Sequence, residues 1–336
     1  MRERTDYLKG IAILAVMLGH WFGFYFKGDD NFIGGNGFVS IFFFLSGYGL
    51  YYSLGKIFPD RQIHPKGIFQ FYIKRINRLY PLYWLVFAFR FATSSTFRGS
   101  ASFLTFLALD FTSPVFLWFI PAIVQCYIIS PLLFSVTRRY SFVSALLGSF
   151  LVVVILNFIA PIVHIPSVRV WYYRDVFLGH IFLFCLGMFF ASSVKQGREF
   201  RVIGHPFLWG FLLIASIVLQ RVLGPLDQVY PSLVDLLFPL AASFFCISLM
   251  QSSCSLPLVK LLTPLGMSSY GLYLLHPVLF HKIHEVVGMP TVESLIMLSL
   301  FPFFVFFSKK IEELVQFEQV LRLKDIVFNR LHINKA

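Results

Sequence analysis

Ten apolar segments follow one another along the 336 residues, centred near Ala15, Leu45, Phe87, Val124, Val152, Leu183, Ile214, Leu240, Tyr273 and Phe301. Each is long enough to cross a hydrocarbon layer about 30 Å thick. A backbone in lipid satisfies its polar groups only within helices or a closed barrel, and apolar runs of this length select helices. The expectation is an all-α polytopic membrane protein with about ten transmembrane helices over residues 1–310. A cytoplasmic amphipathic tail over 311–336 follows, in which Ile311, Leu314, Val315, Leu321 and Ile326 stand among charges. Composition agrees, with 57% hydrophobic residues, 13% charged residues and 43 Phe. Apart from the tail, the longest polar stretch runs only from Lys56 to Lys74, too short for a soluble domain. The first apolar run is longer than a signal-peptide core and lacks a small-residue cleavage site, so it is read as a retained helix.

Lys and Arg distribution orients the segments, because cytoplasmic loops of multi-spanning proteins are enriched in both. With the N-terminus cytoplasmic, all but seven of the 28 fall on that side; the exceptions are Lys27, Arg90, Arg98, Arg169, Arg174, Arg221 and Lys282. An even number of spans returns the C-terminus to the cytoplasm. The net charge of +12 is thereby explained by topology, and the scatter of basic residues over short loops excludes a nucleic-acid-binding module. Cys126, Cys185, Cys246 and Cys254 lack the paired spacing of a disulfide framework or metal site and are read as packing residues.

The first segment, Thr5-Asp-Tyr-Leu-Lys-Gly-Ile-Ala-Ile-Leu-Ala-Val-Met-Leu-Gly-His20, carries ionisable groups on one helical face. Lys9 and His20 fall within about 20° of each other around the axis and about 16 Å apart along it. Asp6, Gly10, Ile13 and Met17 share their arc, making a stripe with a charged foot and an imidazole near its top. Ionisable groups at such depth line interior cavities and pathways. His20 is the first-helix group that can move a proton near neutral pH, the property of a general base. Asp6 is about 20 Å from it, so Asp6 pairs with Lys9 at i,i+3 or with the arginines Arg75 and Arg78, and a carboxylate orienting His20 must come from another helix. Asp235 and Glu293 have suitable depth.

Further along, Phe71-Tyr-Ile-Lys-Arg-Ile-Asn-Arg-Leu-Tyr-Pro81 sets Arg75 and Arg78 one turn apart, with Lys74 beside them. Pro81 disfavours helix at Tyr80, so the arginines are expected on a short cytoplasmic helix that ends before the third span. Their alternative role is to anchor lipid phosphates. With Lys9 they suit a ligand with an anionic head and a thin arm of about 15–20 Å whose tip reaches His20, the shape of acyl-coenzyme A. Arg90, inside the third span, is either a pathway residue or a packing clasp. His276 lies on the ninth segment at a depth similar to His20, and Pro277 frees a carbonyl that an imidazole can satisfy; structural and substrate-side roles are equally open. His281, His284 and Glu285 have metal-like spacing without a further ligand, so no metal site is assigned.

These residues resemble acyltransferase family 3, multi-spanning bacterial membrane enzymes that O-acylate surface glycans. The likeness rests on Asp6-Tyr-Leu-Lys-Gly-Ile-Ala with His20, on Phe42-Phe-Phe-Leu-Ser-Gly47, on Arg75-x-x-Arg78 before Tyr80-Pro81, and on Ser269-Tyr-Gly-Leu-Tyr-Leu-Leu-His276. Trp118 and Tyr127, with Gln125 between them, fit the fourth span; Ile123 and Val124 stand where relatives with a fused esterase-like domain have glutamates, so the chain resembles the stand-alone form. The resemblance implies His20 as the essential catalytic residue and Lys9, Arg75 and Arg78 as acyl-donor-binding residues. Asp6, Trp118, Tyr127, Tyr273 and His276 are candidates for supporting positions.

The resulting expectation is an O-acetyltransferase of the cell membrane. Its donor substrate is acetyl-CoA, with no bound cofactor and no metal. Its partners are a glycan or lipid-linked saccharide acceptor and membrane lipids. The alternative is a transporter or flippase for a lipid-linked or anionic substrate, using the same basic residues; the two halves show no matching repeat or paired broken helices, which argues against it.

Overall fold

The computed structural model describes residues 2–25, 35–60, 62–109, 117–137, 139–145, 147, 148, 151, 177–197, 205–223, 234–251 and 259–315. Among them every regular element is a helix. In chain order these are α1 (Arg2–Tyr25), α2 (Gly35–Ile57), α3 (Pro65–Thr93), α4 (Ser95–Ser100), α5 (Phe103–Phe106), α6 (Phe119–Val136), α7 (Phe177–Lys195), α8 (Pro206–Leu223), α9 (Val234–Gln251), α10 (Val259–Met267), α11 (Ser269–Val287) and α12 (Pro290–Val315). Helices occupy nine of the ten predicted segment centres, and Val152 lies outside the described residues. Three described stretches are long and apolar enough to cross a membrane by length and composition: Phe38–Ile57, Phe119–Val136 and Pro290–Val315. Most of the predicted tail lies outside the described residues, and α12 runs on past residue 310 into its first turn.

The chain divides into two compact units, Met1–Ile63 with Ser102–Ser269 and His64–Ala101 with Tyr270–Ala336. In the first, α2 is the central helix, packed by α1, α6, α7 and α9. Water cannot drive helices together inside lipid, so association there depends on close backbone approach and van der Waals contact, which small residues permit. Two glycine pairs do this. At the α2–α7 crossing a Cβ on Gly47 would lie 2.0 Å from the Phe184 carbonyl oxygen, and one on Gly187 1.9 Å from that of Phe44. At the α1–α10 crossing a Cβ on Gly10 would lie 2.0 Å from the Leu262 carbonyl oxygen, and one on Gly266 1.6 Å from that of Asp6. Aromatic rings fill the space beside the first crossing: Phe44 and Tyr48 meet Phe190 at 6.1 and 5.8 Å, Phe43 meets Phe119 edge-on at 5.2 Å, and Tyr51 meets Phe134 at 5.3 Å.

In the second unit α3 is one continuous helix of 29 residues that carries Pro81 in its interior. The expected break at Tyr80 therefore does not occur, and Arg75 and Arg78 lie on the same helix as the third apolar segment. Packing overrides the local preference: Leu79, Pro81, Leu82 and Tyr83 are buried, and the Tyr270 hydroxyl of α11 donates to the Leu79 carbonyl oxygen. His64 caps the helix start by accepting from the Gly67 amide at 3.0 Å, with Pro65 in the first turn. At its far end Arg98 donates to the Phe91 and Ala92 carbonyls at 3.1 and 3.2 Å, and Arg90 stacks over Phe97 of α4 at 5.3 Å. Of the two roles expected for Arg90, this contact is the packing clasp.

Replacing Gly187 by Ala should destabilise the protein by about 1–3 kcal/mol, since the two backbones must separate to admit the methyl group. Gly49→Ala, on the same α2 but with nothing within 4 Å of the added methyl group, should be neutral or stabilising. Thermal unfolding of the purified variants in detergent checks this; equal losses in both would contradict the close-crossing account.

Candidate functional site

Lys9 and His20 both lie on α1, which is unbroken from Arg2 to Tyr25, so their eleven-residue separation is a continuous helical rise of about 16 Å. Lys9 Nζ donates to Asp6 Oδ1 at 3.1 Å, with both side chains partly buried. Of the two partners expected for Asp6, the structure provides Lys9. His20 is half-buried. Between them Ile13 and Met17 are buried, and Gly10 lies against the backbone of α10. The middle of the stripe is thus a helix crossing, and Gly266 brings α10 against the backbone carbonyl of Asp6, a member of the ion pair. Arg4 Nη1 ties the start of α1 to α9 by donating to the Met250 carbonyl at 2.8 Å.

Trp118 and Tyr127 belong to the same unit. Trp118 is buried at the start of α6, edge-on to Phe119 at 6.4 Å; Tyr127 is half-buried, its ring 6.4 Å from Phe184 of α7.

Arg75, Arg78, Tyr273 and His276 belong to the second unit. Arg75 is half-buried, its guanidinium 5.4 Å from the centre of the Phe71 ring, whereas Arg78 and Lys74 are exposed. Tyr273 and His276 lie one turn apart on α11, rings 6.1 Å apart, with Phe280 5.4 Å beyond. His276 is 0% exposed, and its Nδ1 is 2.8 Å from the Leu272 carbonyl oxygen. A carbonyl can only accept, so Nδ1 carries the proton. The imidazole thus bonds the backbone one residue before Tyr273, whose carbonyl Pro277 leaves without its helical donor.

The late motif Ser269-Tyr-Gly has structural work that sequence reasoning missed. Tyr270 reaches Leu79 of α3. A Cβ on Gly271 would lie 2.5 Å from the Ser308 hydroxyl of α12, and Glu312 Oε2 accepts from the Gly271 amide at 3.3 Å. A carboxylate from the end of α12 therefore caps the first turn of α11, where the helix dipole favours negative charge. No local sequence signal links Glu312 to Gly271, 41 residues away.

Glu293, expected as a possible partner for His20, is 0% exposed, and its carboxylate oxygens lie 3.1 and 3.3 Å from His284 Nδ1. The side chain of Asp235 lies outside the described residues. His281 and Lys282 instead meet Glu285, whose carboxyl the Lys282 hydrogen bond holds below its ordinary range.

A family model described as an acyltransferase domain matches residues 2–308. The chain belongs to acyltransferase family 3. The match takes in every site residue expected from the sequence and both glycine crossings. No curated protein and no solved structure matches the chain. With its apolar helices, membership makes this family member a membrane acyltransferase.

His284→Ala should lower stability by about 1–3 kcal/mol, because it leaves the enclosed Glu293 carboxylate without its imidazole. His281→Ala, beside the exposed Glu285, should change stability by less than about 0.5 kcal/mol. Chemical or thermal unfolding separates the two; equal effects would mean that Glu293 does not depend on His284.

Proposed function

We propose that this acyltransferase moves an acetyl group from acetyl-CoA to a hydroxyl of a cell-surface or exopolysaccharide glycan. The observation that carries the reading is the arrangement on α1: an ion-paired lysine and, about 16 Å further along the same unbroken helix, a half-buried imidazole, in a family defined by acyl transfer. In this reading Lys9, Arg75 and Arg78 hold the anionic head of the donor, the arginines by bidentate contact with phosphate oxygens.

His20 then acts as general base. Its ring nitrogen takes the proton of the acceptor hydroxyl as that oxygen attacks the thioester carbonyl, and the tetrahedral intermediate collapses with loss of the coenzyme A thiolate. The imidazolium returns the proton to the sulfur, leaving the acyl ester, free thiol and neutral His20. In this reading the enzyme sits in the cell membrane with both termini cytoplasmic, which its Lys and Arg distribution supports. His20 then lies in the outer half of the bilayer, where the donor arm meets an acceptor arriving from outside.

In deletion cells complemented with His20→Ala, the O-acyl content of surface glycans, read by mass spectrometry, should fall to that of the deletion while the protein stays at wild-type level in the membrane. Retained O-acylation would overturn the catalytic assignment. Arg75→Ala and Arg78→Ala should each weaken acetyl-CoA binding to purified protein at least about tenfold, with Lys substitutions restoring only part of it. Unchanged affinity in both alanine variants would make these residues lipid anchors instead.

A further inference from the structure

We infer that Gln125 is a binding residue for an amide of the donor's pantetheine arm, an assignment that rests on the acetyl-CoA reading above. Gln125 lies on α6, within the apolar stretch Phe119–Val136. It is 7% exposed, and among the described residues neither its Oε1 nor its Nε2 has a hydrogen-bond partner. It sits in a run of ten consecutive buried residues, Leu117 to Cys126.

The other polar side chains near the end of α6 satisfy themselves on their own backbone: Ser130 donates to the Tyr127 carbonyl, Ser135 to Leu132 and Thr137 to Phe134, at 2.8, 2.7 and 2.7 Å. Gln196, at the end of α7, donates to Ser192 Oγ at 2.9 Å. Gln125 alone among these groups holds both a donor and an acceptor in an apolar interior with nothing among the described residues to meet them. A primary amide in hydrocarbon surroundings is costly unless its hydrogen bonds are made.

The chemistry of the missing partner follows from this setting. It must both accept and donate at one place, and it must bring few other polar groups, because this part of α6 is a buried apolar stretch. A saccharide would bury several hydroxyls there. A secondary amide on a thin methylene chain suits the position: its carbonyl accepts from Nε2 and its N–H donates to Oε1. The pantetheine arm of coenzyme A carries two such amides.

The test uses the purified full chain in lipid nanodiscs and two apolar variants, Gln125→Leu and the length-preserving Gln125→Met. Two probes are titrated: acetyl-CoA, and adenosine 3′,5′-bisphosphate, which has phosphates but no arm. The inference expects both variants to unfold at a temperature equal to or about 2–4 °C above wild type, since an unsatisfied amide is removed. Their Kd for acetyl-CoA should rise about tenfold while that for the bisphosphate is unchanged. Wild-type affinity for acetyl-CoA in a folded Gln125→Met protein would overturn the inference and leave a buried water as the amide's partner. Equal weakening of both probes would overturn it too, as a general disturbance of the fold. No acetyl-CoA binding by wild type would overturn the donor assignment itself.

Discussion

Backbone contact at glycine is the interaction on which the first unit depends. In lipid an apolar helix gains little by leaving its surroundings, so helices stay together only where their surfaces meet more closely than lipid tails meet them. Gly47 with Gly187, and Gly10 with Gly266, each let a helix lie directly on its neighbour's carbonyls. The second crossing also has a chemical consequence. Gly266 abuts the Asp6 carbonyl and Gly10 follows Lys9 directly, so the short helix Val259–Met267 braces the turn of α1 that carries the Asp6–Lys9 pair. Residues that look like spacers within motifs are thereby the ones that hold the charged side chains in place.

The second unit is held by polar groups instead. Tyr270 donates to Leu79, Glu312 caps α11 at Gly271, and Glu293 holds His284, so α11 is fastened to α3 by one end and to α12 at two places. Each partner is a charge or dipole that would be costly to leave unmet among apolar side chains. These bonds explain why Ser269-Tyr-Gly precedes the His276 stretch as a block: two of its residues dock the helix that presents Tyr273 and His276.

Much of this architecture is legible in the amino-acid sequence. Segment lengths and apolar runs mark the helices, and the i,i+3 spacing of Asp6 and Lys9 predicts an ion pair that forms. Pro81 misleads, because a dipeptide preference at Tyr80 weighs about as much as one tertiary contact and the burial of Leu79, Pro81, Leu82 and Tyr83 outweighs it. Depth along a helix does not report direction around it, and the contact of the Glu293 carboxylate with His284 has no local signal. The Gly271–Glu312 cap and the orphaned amide of Gln125 have no local signal, because both depend on what the fold brings beside them. The glycines of the crossings are visible as motif letters, but their role appears only when the opposing carbonyl is in place.

The proposed chemistry requires a donor from the face where Lys9 lies and an acceptor from the opposite face, which makes sidedness the decisive property. Single cysteines introduced at Lys66 and Lys195, and separately at Asp30 and Arg169, can be labelled in intact cells with a membrane-impermeant maleimide. The account predicts that Asp30→Cys and Arg169→Cys react, while Lys66→Cys and Lys195→Cys react only after the membrane is permeabilised. The reverse pattern would put the donor on the wrong side of His20 and contradict acyl transfer across the bilayer.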